Sequence, residues 1–221
     1  MRQLLLASAV LLAAPVLIAG GAHAAPMLGL TVASGGDSTF QSVALSSAGG
    51  SYNFAPVTVG NFTSNNIGTQ LFFPNYLDLA SFDLSSKSGG TLTITLTATG
   101  FTSPAGLSNW TTQFTGNVSN GSATVTAKSY IDNSDTLNNP GCAVGCTLLS
   151  SVNMGGSATA SATTDGSFAI TEVITITTQG NTRLSLDASV SNVPEPMSLA
   201  LLGTGLTGLG MVRRRAARTA A

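Results

Sequence analysis

Hydrophobic and polar residues alternate with period two along much of this chain. Leu92, Ile94, Leu96 and Ala98 point one way, and Thr91, Thr93, Thr95, Thr97 and Thr99 point the other. That is the pattern of a half-buried strand with a threonine outer face. Trp110, Thr112, Phe114 and Val118 share one phase, as do Ala123, Val125 and Ala127. Phe168, Ile170, Ile174 and Ile176 form another set, and Leu184, Leu186, Ala188 and Val190 a further one. Weaker alternation over 27–33, 39–46, 51–59 and 69–73 adds candidate strands. Turn residues separate these runs: Gly35-Gly36-Asp37, Gly49-Gly50, Ser88-Gly89-Gly90, Asn120-Gly121, Asp165-Gly166 and Gln179-Gly180-Asn181. Asn-Gly and Asp-Gly between alternating runs predict hairpins. No stretch between residues 25 and 191 keeps helical spacing, and no fixed-period repeat is visible. The prediction is an all-β domain over 25–191, an antiparallel β-sandwich of about eight to ten strands.

Glu172 shares the phase of Ile170 and Ile174. An inward carboxylate is expected on an edge strand, where it blocks pairing with another chain.

The two ends break the pattern. Residues 1–24 combine Arg2, an apolar run from Leu4 to Ile18 and the small-residue site Ala22-His23-Ala24. They predict a signal helix cleaved after Ala24, the partners being the secretion translocon and signal peptidase. The alternative is a retained N-terminal anchor. At the other end, Val193-Pro194-Glu195-Pro196 precedes an apolar run, Met197 to Val212, and then Arg213-Arg214-Arg215. The run of 16 residues would span about 24 Å as a transmembrane helix, short of a hydrocarbon core of about 30 Å. The prolines fix an extended, non-helical strip before it. The arginines over 213–218 act as a stop-transfer cluster on the cytoplasmic side.

Composition changes the picture in three ways. Charged residues are only 8% of the chain. Its polarity comes from Thr, Ser, Asn and Gly, which suit strands and turns. The stretch from Asp37 to Glu195 holds nine acidic residues against Lys87, Lys128 and Arg183, a net of −6. That argues against a nucleic-acid partner, which needs clustered Lys and Arg. The single histidine, His23, leaves with the signal. A mature chain without histidine cannot form a Ser-His-Asp triad, a Cys-His dyad or a histidine metal site.

No catalytic residues, metal site or cofactor are predicted. Cys142 and Cys146, in Pro140-Gly141-Cys142-Ala143-Val144-Gly145-Cys146, are expected to pair in an oxidising compartment, free thiols being the alternative. Asp132-Asn133-Ser134-Asp135 with Asn138 and Asn139 lacks the glycine and closing glutamate of a calcium loop, and reads as an Asx-rich turn. A glycosidase pair would be drawn from Asp78, Asp83, Asp132, Asp135, Asp165 or Glu172, and the sequence selects no two of them. Asn61, Asn109, Asn117 and Asn120 match the glycosylation sequon, as expected by chance in a Thr- and Ser-rich chain.

The tail over residues 192–218 resembles the PEP-CTERM sorting signal of exported Gram-negative bacterial proteins: the Pro-Glu-Pro strip, the span with its Leu201-Leu202-Gly203 core, and the arginine cluster, in that order at the chain end. The same tail also occurs in sequences described as ending in an ice-binding protein C-terminal segment. That description concerns the tail and says nothing of ice. The resemblance implies recognition at Val193, Pro194, Glu195 and Pro196 by an exosortase, a membrane cysteine protease or transpeptidase. It also implies an association with exopolysaccharide. The alternative is a permanent C-terminal anchor. The function expected is therefore that of a non-enzymatic surface or matrix protein. It would be held transiently at the inner membrane with its body in the periplasm, then passed to the cell surface or outside. The alternative function is a glycan- or ice-binding domain using Thr91, Thr93, Thr95 and Thr97.

Overall fold

The computed structural model describes residues 25–46, 49–137 and 145–193, with positions 204 and 207. The signal segment with Ala22 and Ala24, Cys142, the Pro194–Pro196 strip, the span 197–212 and Arg213, Arg214 and Arg215 lie outside the described residues. Among the described residues, no helix is long and apolar enough to cross a membrane.

The body is an antiparallel sandwich of two sheets. In chain order the strands are β1 (Met27–Ser34), β2 (Asp37–Ala44), β3 (Gly50–Phe54), β4 (Thr58–Val59), β5 (Phe62–Phe72) and β6 (Tyr76–Ser86). They continue as β7 (Gly90–Phe101), β8 (Gly106–Asn120), β9 (Ala123–Asp132), β10 (Cys146–Asn153), β11 (Gly156–Thr164), β12 (Phe168–Thr178) and β13 (Thr182–Val193). One sheet runs β10-β9-β12-β7-β1-β2, and the other β11-β8-β13-β6-β5-β3 with β4 paired to β5.

The described residues thus hold thirteen strands rather than eight to ten. β6 escapes a period-two reading because it carries a bulge. Leu77 and Leu79 face inward, then Phe82 and Leu84, and β13 shifts register opposite them between Leu186 and Ala188. An extra residue at a bulge changes the phase of every side chain after it. β10 is likewise bulged between Leu148 and Ser150. β11 hides for another reason: its inner positions are Ala158, Ala160 and Ala162, which contrast little with Ser and Thr.

The turns also differ from expectation. Gly35 and Gly36, at φ +59° and +97°, close the β1–β2 hairpin, with Ser34 opposite Asp37. Asn120-Gly121 and Asp165-Gly166 close no hairpin. They carry the chain from one sheet to the other, from β8 to β9 and from β11 to β12. So do Ser88-Gly89-Gly90 and Gln179-Gly180-Asn181.

The core lies between the sheets. Leu92, Ile94, Leu96, Ile170, Ile174 and Ile176 face Leu77, Leu79, Phe82, Phe114, Leu186 and Val190, all buried. Burial of each large side chain stabilises by about 1.5–3 kcal/mol. Phe168 anchors one end, stacked on Phe101 at 5.6 Å and edge-on to Trp110 at 5.8 Å.

β7 has the predicted phase, but its threonine face is not the open surface expected. Thr91 is exposed and Thr93 half-buried, whereas Thr95, Thr97 and Thr99 are buried. The cause is tertiary. Leu137, just after β9, and Phe40 of β2 pack on the outer side of this sheet, 3.0 and 3.1 Å from where a Cβ on Gly29 would stand. Gly29 is the cross-strand partner of Thr97, so both share the covered face. Thr97 and Thr171 satisfy each other beneath it through a 3.0 Å hydroxyl hydrogen bond.

Glu172 does not sit at an edge. β12 lies between β9 and β7, in the interior of its sheet, so the edge-protection account is wrong. The carboxyl is fully buried in the sandwich.

Candidate ligand face on the seven-stranded sheet

The outward positions of β5, β6, β8 and β13 build a continuous polar surface. Alternation sends Leu184, Leu186, Ala188 and Val190 into the core, so Arg183, Ser185 and Asp187 face out. On β8, Trp110, Thr112 and Phe114 point in, and Gln113, Thr115, Asn117 and Ser119 point out. Strand register then aligns Asn117 with Ser185, Ser185 with Asp83, and Asp83 with Asn66. Four strands thereby form one polar row.

A groove of about 360 Å³ follows this row, lined by Asn65, Asp83, Ser85, Asn117, Ser119, Arg183 and Ser185. Ser85 donates to the Thr63 carbonyl and Ser119 to the Arg183 carbonyl, which fixes those hydroxyls. Among the described residues, no hydrogen bond or ion pair engages the side chains of Asn65, Asp83, Asn117 or Arg183. Arg183 pairs with Ser85, and Asp83 with Ser185, so the two charges are diagonal neighbours that stay apart. Among the described residues, no aromatic ring lines the groove, and Asp83 is its one carboxylate. A second depression, with Ala80, Thr115, Gly116 and Asp187, adjoins it through Asn117 and Ser185.

An acidic cluster spans this sheet at the β6 bulge. The Tyr76 hydroxyl donates to Asp78 Oδ2 at 2.9 Å, while Asp78 Oδ1 has no partner. Burial pushes the Asp78 carboxyl up to about 6, the Tyr76 hydrogen bond opposes that, and the neighbouring Asp187 charge adds to it. Burial raises Asp187 as well. From inside the core, Glu172 approaches the Leu79 backbone amide, but neither of its oxygens has a hydrogen bond of full geometry. Burial first, then the charges of Asp78 and Asp187, hold Glu172 well above the usual carboxylate range. Burial of this kind favours the neutral form of the carboxyl over the charged one. Among the described residues, no group of three or more His, Cys, Asp or Glu could hold a metal ion.

The residues singled out by sequence are scattered. Asp132 Oδ1 accepts from the Ser134 backbone N–H at 2.8 Å and from the Ser134 hydroxyl, which makes the Asx turn. Asp135 accepts from the Gly100 N–H and the Ser167 hydroxyl. Asp165 is exposed at a corner between sheets. Of the six carboxylates considered for hydrolysis, only Asp83 lines the groove. Cys146 opens β10 opposite Asp132, and its expected partner lies outside the described residues. Val193, the first residue of the expected sorting motif, is exposed and ends β13. Sequence reasoning missed the groove. Its one available signal was Arg183, a lone cation at an outward position of an alternating run.

No family model and no curated protein matches the chain. Among solved structures, the chain is similar to TmCBM61 in complex with β-1,4-galactotriose, at a TM-score of 0.30 and 6% identity over 60% of this chain and 87% of that one. It is also similar to a structure described for the promiscuous specificity of carbohydrate-binding modules from the β-sandwich superfamily, at a TM-score of 0.30 and 13% identity over 73% of this chain and 70% of that one. The enzymatically active domain of bacteriophage CBA120 tailspike protein 4 matches at a TM-score of 0.31 and 15% identity over 66% of this chain and 20% of that one. These likenesses are distant, and the chemistry of this chain has to be argued from its own residues.

Proposed function

We propose that this chain is an exported, non-enzymatic β-domain that binds glycan through the outer face of its seven-stranded sheet. One observation carries the reading: the groove presents Asn65, Asp83, Asn117 and Arg183 with their hydrogen-bonding groups unused. Amide, carboxylate and guanidinium together donate to and accept from sugar hydroxyls. The lone groove carboxylate favours binding over hydrolysis, which needs a facing pair. The threonine face of β7 is the weaker surface for glycan or ice, since only Thr91 and Thr93 reach solvent. The two ends supply delivery: translocon and signal peptidase export the chain through the N-terminal signal, and an exosortase acts at Val193–Pro196 in the tail. The body then reaches the surface or matrix, where exopolysaccharide is the available ligand.

The test is affinity electrophoresis of the purified chain through gels containing a panel of soluble polysaccharides. Retardation is expected, lost in N117A/R183A and kept in T91A/T93A. Migration indifferent to every polysaccharide would leave a purely structural protein. Retardation lost only with the threonine changes would move the site to the other sheet.

A further inference from the structure

Resting on that reading of the groove, we infer that its ligand is a linear, uncharged polysaccharide lying across the strands. Direction follows from register. Asn117, Ser185, Asp83 and Asn66 stand side by side on β8, β13, β6 and β5. Adjacent strands lie about 4.8 Å apart, so the row runs about 14 Å perpendicular to them. β11 pairs with β8 only from Gly106 to Phe114, so among the described residues no strand flanks Asn117 on that side. The row therefore runs out to the border of the sheet, where a polymer can pass.

Charge selects the class. The groove holds one guanidinium and one carboxylate, unpaired with each other, and Asp187 lies in the adjoining depression. The other cations of the body are elsewhere: Lys128 on β9 of the opposite sheet and Lys87 at the corner after β6. A uronate-bearing chain would meet one cation and two anions in a β domain of net charge −5 over residues 25–191. Like charges facing each other disfavour binding, and unpaired charges left buried by a wrong ligand do so further. An uncharged sugar meets no such penalty. Asp83 accepts from its hydroxyls, and Arg183 donates to its hydroxyl and ring oxygens. With no aromatic ring in the groove, recognition falls on hydroxyl edges rather than ring stacking.

The experiment is titration calorimetry of the detergent-solubilised full chain with cello- and laminari-oligosaccharides as neutral probes and oligogalacturonates as anionic ones, at low and high salt. Neutral oligomers should bind more tightly as they lengthen, up to the span of the row, with little salt dependence. D83N and R183Q should each weaken binding about tenfold, the loss of one charged hydrogen bond. Both positions are on the surface, so folding should survive. Binding confined to oligogalacturonates and abolished by salt would overturn this inference and leave glycan binding intact. Monosaccharide binding as tight as that of oligomers would overturn the cross-strand path alone. Failure of every probe, and of the polysaccharide panel, would remove the underlying reading as well.

Discussion

Asp135 and Gly100 are joined by a 2.9 Å hydrogen bond, the glycine backbone N–H donating to Asp135 Oδ1. Oδ2 of the same carboxylate accepts from the Ser167 hydroxyl at 2.6 Å. One side chain thus ties the β9–β10 connection to the end of β7 and the start of β12. Leu137, two residues on, lies against Gly29, the cross-strand partner of Thr97. Asp135 sits at φ +53°, where aspartate and asparagine are tolerated and alanine is strained. D135A should therefore lose about 2–3 kcal/mol in urea unfolding, and D135N distinctly less. A loss in D135A below about 0.5 kcal/mol, the scale of an ordinary surface change, would deny the strap its stabilising role.

The acidic cluster sets the pH response. Asp78 and Glu172 both have folded-state pKa values raised above their ordinary 3.8 and 4.5. The folded state then binds more protons than the unfolded one, so stability falls as pH rises. For Asp78 the fall occupies the window from 3.8 to about 6, and for Glu172 it begins at 4.5 and runs upward. Thermal melts should show a higher Tm near pH 4 than near pH 8. D78N and E172Q should each flatten part of that slope. A wild-type Tm that climbs through this range would contradict both assignments.

Gly121 illustrates a corner that admits no side chain. Its φ is +77°, and a Cβ there would stand 2.3 Å from the Asn181 carbonyl oxygen, where the β8–β9 crossing meets the β12–β13 crossing. G121A should cost about 3 kcal/mol, from left-handed strain plus displacement of that backbone. Gly180 has open space around it, so G180A should fall within about 0.5 kcal/mol of wild type. Equal melting temperatures for the two variants would show that the crossings are not packed as described.

The tail prediction concerns processing. In an exosortase-bearing host, mass spectrometry of the mature protein should find a C-terminus near Pro194–Pro196. Replacing Pro194, Glu195 and Pro196 by alanine should retain the chain at the inner membrane. An intact terminus at Ala221 in wild-type protein found only there would mean a permanent anchor.

The Cys142–Cys146 bridge is checked on the same exported material. Unreduced protein should be lighter by two hydrogens than reduced protein and should resist alkylation. Labelling of both thiols without prior reduction would rule the bridge out.

Sequence by itself determined the fold class and the phase of the strongest strands. Leu92, Ile94 and Leu96 had to share one side, because a strand places alternate residues on opposite faces whatever surrounds it. Gly35-Gly36 likewise fixed its hairpin locally, since two consecutive positive φ values close a two-residue turn. Tertiary structure decided what each face meets. Thr97 points outward, yet it is buried on a face where Leu137, forty residues further along, and Phe40 of β2 pack beside its partner Gly29. Glu172 looked like an edge residue, but strand order places β12 in the interior, which no local pattern encodes. Asn-Gly and Asp-Gly turns specify a change of direction, not whether the next strand joins the same sheet or the facing one. The groove is the extreme case. Asn66, Asp83, Asn117 and Ser185 are far apart in the chain and become neighbours only through the pairing of β5, β6, β13 and β8. That pairing is set by burying the opposite faces of the same four strands, a condition that involves the whole core at once.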